Sequence, residues 1–260
     1  VFNLTPIVKN LLIINVVMFA LSALISAFDF ADLFGLRLWD SRFFSPYQFI
    51  TYIFIHASFW HLFSNMIGLI VFGPWLEMTW GSHRFLIFYA ICGLGAGFLY
   101  LGVNFVEMQL LKNAIEAYML DPTPDHFAQF MKEHNERSYY QLLDFVDNFS
   151  NNPDNFHYIQ SSKQIVKSYY ESRIDIPMVG ASGAIFGVLA AFGLMFPNVE
   201  LMLLFPPIPI KAKYLIGIYM LFAIFGAVNP TPGDNVAHYA HIGGAIFGWI
   251  MVNVWKNKHF

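Results

Sequence analysis

Ser182-Gly183-Ala184-Ile185-Phe186-Gly187 opens an apolar run that ends at Phe196, and Gly244-Ala245-Ile246-Phe247-Gly248 repeats its last five residues near the end of the chain. In each copy the glycines are four apart, about one helical turn, and so share a face. Small residues at that spacing let helix backbones approach closely in lipid, where packing decides association. The two stretches therefore predict two membrane helices in direct contact. From Ser182 to Phe196 the first has only about 15 residues and rises roughly 22 Å, short of the about 30 Å hydrocarbon core. Such a helix starts below the membrane surface. The preceding segment, Pro177 to Ala181, must then dip inward, which is tolerated only where protein or a water-filled cavity satisfies its backbone.

The rest of the chain agrees with a membrane setting. It is 57% hydrophobic and only 12% charged, about half the usual charged share. Six blocks are apolar enough to cross a bilayer: Leu11 to Phe28, His61 to Leu76, Phe85 to Val103, Ser182 to Phe196, Ala212 to Val228 and Ala237 to Trp255. An even count puts both termini on one side. Lys9, Arg84, Lys211, Lys213, Lys256 and Lys258 all fall on that side, which the positive-inside rule makes cytoplasmic. With a formal charge of -3 and no run of Lys and Arg, nucleic acid is set aside as a partner. Cys92 is the one cysteine, so neither an internal disulfide nor a cysteine metal site is expected. The first apolar block lacks the layout of a cleaved signal peptide and reads as a retained helix.

On the opposite face, Asp29 to Trp60 is aromatic with few charges and reads as a segment lying partly in the interface. Asn104 to Gly180 is acidic, with turn clusters at Asp121-Pro122-Thr123-Pro124 and Asn151-Asn152-Pro153-Asp154. Within it Met108, Leu111, Ile115 and Tyr118 recur at helical spacing, as do Leu142, Phe145, Val146 and Phe149, and Ile159, Val166, Tyr169 and Tyr170. Several amphipathic helices are expected, the first continuing the third membrane helix. Asn148-Phe149-Ser150 fits a glycosylation pattern that is common by chance.

Polar residues inside membrane helices are costly and mark function by default. His61 and Asn65 share a face one turn into the second block. Ser182 stands among the unpaired donors of a helix start, an environment suited to a developing oxyanion; an N-cap serine is the plain alternative. The soluble-hydrolase elbow Gly-x-Ser-x-Gly is not met, because position 184 is Ala. His238 and His241 share a face of the sixth block, and either can take a serine proton once the twin glycine motifs bring the helices together. A zinc site using His56, His61, His238 and His241 lacks the His-Glu-x-x-His signature and a neighbouring carboxylate. No metal and no cofactor is expected.

Taken in order, His61-x-x-x-Asn65, Gly180-x-Ser182-Gly183 and His241-x-Gly243-Gly244 resemble the rhomboid intramembrane proteases. His56, and Glu77 followed by Trp80-Gly81-Ser82-x-Arg84, fit the same pattern as structural residues. The resemblance implies an all-α, polytopic bundle of six transmembrane helices: residues 1–104 and 178–260 form one rhomboid domain, and 105–177 is a helical insertion on the non-cytoplasmic side. It implies Ser182 as nucleophile and His241 as base, the choice over His238 resting on the following glycines. His61, Asn65 and the Ser182 N–H would bind the oxyanion, with Gly180, Phe186 and His238 in support. The implied activity is a serine endopeptidase cleaving single-span proteins in or near their membrane helix, in a bacterial inner membrane. A catalytically inactive relative that binds membrane clients is the alternative, though such relatives usually lose the serine or the base. The long insertion departs from a minimal family member.

Overall fold

The structure is a computed structural model that describes residues 4–25, 27–202, 207–229 and 237–256. The chain divides into two compact units, Val1–Trp39 with Phe43–Gly102 and Pro177–Phe260, and Asp40–Arg42 with Val103–Ile176. The fold is mostly helical.

In the first unit α1 spans Pro6–Leu24, with proline at the helix start, where its missing N–H costs nothing. Ile13, Ile14, Val16 and Val17 are exposed along it, a pattern that suits lipid rather than water. The aromatic segment that follows holds two short helices, α2 (Phe30–Phe34) and α3 (Gln48–Thr51), and a 3-10 turn at Tyr52–Phe54. Asp29 caps α2 by accepting from the N–H groups of Ala31 and Asp32. Arg37, only 1% exposed, meets the Asp32 carboxylate at 2.6 Å and lies 5.4 Å from the centre of the Phe43 ring. A cation can be buried there because it is paired.

Helix α4, Phe59–Trp80, is capped by the Ser58 hydroxyl, which accepts from the His61 N–H at 3.2 Å. It ends at Gly81, whose φ of 81° lies in the left-handed region that glycine enters at no steric cost. Near that end the Glu77 carboxylate accepts from the Ile7 and Val8 N–H groups, each at 3.0 Å, and from the Thr5 and Ser82 hydroxyls. Two orphan donors of the first turn of α1 are thereby satisfied, and α1, α4 and the start of the next helix are pinned together.

Helix α5 runs from Ser82 to Leu120, 39 residues, about 58 Å at 1.5 Å per residue and so about twice the bilayer core. It continues into the second unit, as the spacing of Met108 to Tyr118 predicts. There follow α6 (Pro124–His134), α7 (Glu136–Gln141), α8 (Leu143–Asn151) and α9 (Phe156–Ile174). Phe127, Phe130, Met131, Val146, Phe149 and Val166 form the buried core of this unit, and the hydroxyls of Tyr118 and Ser162 bond inside it. Helix α6 was hidden in the sequence: Thr123-Pro124 reads as a turn, yet Thr123 is an N-cap bonded to the His126 N–H and Pro124 is the first helical residue. The Asn148 tripeptide lies inside α8, with its amide donating to the Asp144 carbonyl.

The chain returns to the first unit as α10 (Ser182–Met195), a two-stranded antiparallel hairpin of β1 (Glu200–Met202) and β2 (Pro209–Lys211), α11 (Ala212–Val228) and α12 (His238–Lys256). The hairpin was not expected from the sequence; three residues a side are too few to show alternation. Helices α1, α4 and α5 are long and apolar enough to cross a membrane, whereas α10 and α11 are apolar but shorter. Residues 230–236, most of the link between the fifth and sixth apolar blocks, and Lys258 lie outside the described residues.

Candidate active site

Helices α10 and α12 pack backbone to backbone. A Cβ placed on Gly244 would collide with the Gly183 carbonyl oxygen, and one on Gly248 would stand 2.6 Å from that of Gly187. The repeated pentapeptides thus face each other, and only hydrogen fits between them. One consequence lies a turn away: His241 Nε2 is 2.8 Å from Ser182 Oγ. The His241 ring is stacked on Phe186, with centroids 4.1 Å apart and planes 6° from parallel. Phe186 is one turn after Ser182, so the same helix supplies the hydroxyl and the plate that fixes its partner. With Nε2 accepting the serine proton, the imidazole proton sits on Nδ1.

Ser182 is the first residue of α10, where a backbone N–H has no intrahelical acceptor. Backbone groups of the segment before it are bonded to the first loop. Leu36 and Met178 exchange both backbone hydrogen bonds at 2.8 Å, and the Gly180 N–H donates to the Tyr52 carbonyl at 2.9 Å. Tyr52 is itself held by its hydroxyl, which donates to the Gly93 carbonyl at 2.6 Å. The aromatic first loop is therefore a backbone partner of the site. Nothing in the sequence marks Leu36 or Tyr52, since this pairing is carried by main-chain atoms.

Gly180 has φ +125°, and a Cβ on it would lie 2.6 Å from Cε1 and Nε2 of His61 and 3.7 Å from Ser182 Oγ. The absence of a side chain here lets the His61 ring edge approach the serine. Asn65, one turn along α4, is buried at 4% exposure, and its amide nitrogen has no hydrogen-bond partner among the described residues. A buried donor left unpaired costs about 1–3 kcal/mol. His56 packs edge-on to His61, centroids 5.0 Å apart. Burial first, and the neighbouring His61 second, push its pKa down to about 3, so it adds no charge beside His61 at neutral pH. His238 is at 6.1 Å and nearly perpendicular to His241, with its ring against Gly226 of α11. Tyr239 donates to the Ala227 carbonyl at 3.0 Å, a second tie between these helices.

The structure thus brings residues of all three ordered motifs into one region: a serine hydroxyl at the start of α10, an imidazole of α12 in hydrogen-bond reach of it, and His61 of α4 beside Gly180. The sequence matches the Rhomboid domain family model over residues 44–111 and 157–257. The chain belongs to the rhomboid family. That family acts on transmembrane substrates within the lipid bilayer, and this rhomboid, with its long apolar helices, is an integral membrane protein. Residues 112–156, which hold α6, α7 and α8, lie outside the matched segments. No curated protein matches the chain.

Proposed function

We propose that this rhomboid is an active intramembrane serine endopeptidase that cleaves single-span membrane proteins within or near their transmembrane helix. The observation that carries the reading is the 2.8 Å contact between Ser182 Oγ and His241 Nε2. Ser182 Oγ attacks the scissile carbonyl carbon as its proton passes to Nε2. The carbonyl oxygen, now negative, is met by the Ser182 N–H, the His61 ring and the Asn65 amide. The imidazolium returns its proton to the leaving amine, and water then hydrolyses the acyl-enzyme by the same route. Phe186 holds the ring in plane; Gly180 and His238 shape the pocket around it.

The membrane arrangement belongs to the same proposal. Helices α1, α4, the first part of α5, α10, α11 and α12 are the six spans, with both termini cytoplasmic in a bacterial inner membrane. Lys9, Arg84, Lys211 and Lys213 stand at ends that this topology puts on one side, which supports the orientation. Residues 1–104 and 178–260 form the rhomboid domain, and 105–177 form an insertion on the far side. The break in the family match and the separate compactness of this segment support that division.

A fluorophosphonate probe decides between an enzyme and a client-binding relative. Wild-type protein in detergent is expected to label, and Ser182→Ala is not; absence of labelling and of cleavage in the wild type leaves the client-binding reading. Asn65→Ala is expected to lower kcat on a single-span substrate by about 10²–10³-fold, the usual loss for one oxyanion donor. Unchanged kcat would remove Asn65 from the oxyanion site.

A further inference from the structure

Between α10, α11 and α12 lies an apolar groove of about 470 Å³, within the about 300–1,000 Å³ of ordinary ligand sites. Gly193 and Leu194 of α10, Gly217 of α11, and Ala245 and Trp249 of α12 are among its walls. A single charged residue, Lys213, lines it, at the start of α11. The ammonium lies 5.1 Å from the centre of the Tyr214 ring, and Tyr214 is 60% exposed, the pairing of cation and aromatic found at a membrane interface.

The length of the lining and its one cation point to the occupant. On α11 the lining runs from Lys213 to Ile224, about 16 Å of helix, which is about half the hydrocarbon core and so one leaflet deep. The groove is apolar along that length apart from Lys213 at its end. One extended polymethylene chain spans that length of apolar wall. A cation at the interfacial end of a one-leaflet slot matches an anionic headgroup above an acyl tail.

We propose that this groove holds one acyl chain of an anionic phospholipid, its phosphate at Lys213. The leaflet is cytoplasmic if the orientation given above holds; the binding itself does not depend on proteolysis.

The test counts lipids retained by purified Ser182→Ala protein in native mass spectrometry, after titration with phosphatidylglycerol or phosphatidylcholine of the same chains. The Ser182→Ala background is expected to favour phosphatidylglycerol about five-fold, the worth of one Lys near an anionic surface. Lys213→Gln is expected to bring the two lipids within two-fold of each other. Gly217→Leu, at a position where an added Cβ meets nothing within 4 Å, is expected to fill the slot and lower retention of both. Equal retention of the two lipids in the background protein, or no effect of either substitution, overturns the proposal. Proteolytic activity enters none of these readouts, so a failure here and a failure of the protease reading are separable.

Discussion

His241→Ala is expected to reduce cleavage of a single-span substrate in liposomes by about 10⁴-fold or more, with KM near the wild-type value. General-base transfer contributes about 10²–10⁴ in rate. In serine hydrolases, losing the base also strands the nucleophile, so single losses resemble removal of the whole set. A 10⁴-fold loss is about 5.4 kcal/mol of transition-state stabilisation. The substrate helix does not depend on the imidazole for ground-state binding, which is why the loss falls on kcat. The fold is expected to survive, because α10 and α12 are held by backbone packing at Gly183 and Gly244 and not by the 2.8 Å hydrogen bond. Probe labelling is expected to fall with turnover while the melting curve in detergent stays in place. A variant that keeps cleaving within ten-fold of wild type would assign the base elsewhere, with His238, its ring 6.1 Å from that of His241, the other described imidazole of α12.

Much of the membrane unit is legible in the sequence because apolar composition and glycine spacing survive without tertiary context. The paired pentapeptides predict contact between two helices, and Gly244 lies against Gly183. The edges were less legible. Helix α4 begins at Phe59 and reaches Trp80, beyond the His61 to Leu76 block, because its ends are set by Ser58 and Gly81 rather than by hydropathy. The first block likewise shifts from Leu11–Phe28 to α1 at Pro6–Leu24, since the Glu77 carboxylate caps its start from a site some seventy residues away. Least legible was the support of Ser182. Its positioning runs through the Met178–Leu36 and Gly180–Tyr52 backbone bonds, which join chain segments far apart in sequence and leave no side-chain signature.

Gly244→Val is expected to cost both stability and catalysis, in proportions that a mutation of the reacting groups does not reproduce. The added Cβ would overlap the Gly183 carbonyl oxygen, which is backbone and cannot swing away. The two helices must therefore separate. Overpacking of this kind typically costs about 1–3 kcal/mol, to be read as a lower melting temperature in detergent. Separation also carries His241, nearly one turn earlier on α12, away from Ser182, and a misplacement of about 1 Å in a near-attack geometry costs about 10²-fold in rate. Gly102→Ala serves as the control, since a Cβ there meets nothing within 4 Å and alanine suits a helix interior better than glycine by about 0.5–1 kcal/mol. It is expected to retain full activity. A Gly244→Val protein that melts and cleaves like the Gly102→Ala control would mean that the close approach of α10 and α12 is not what sets the distance between serine and imidazole.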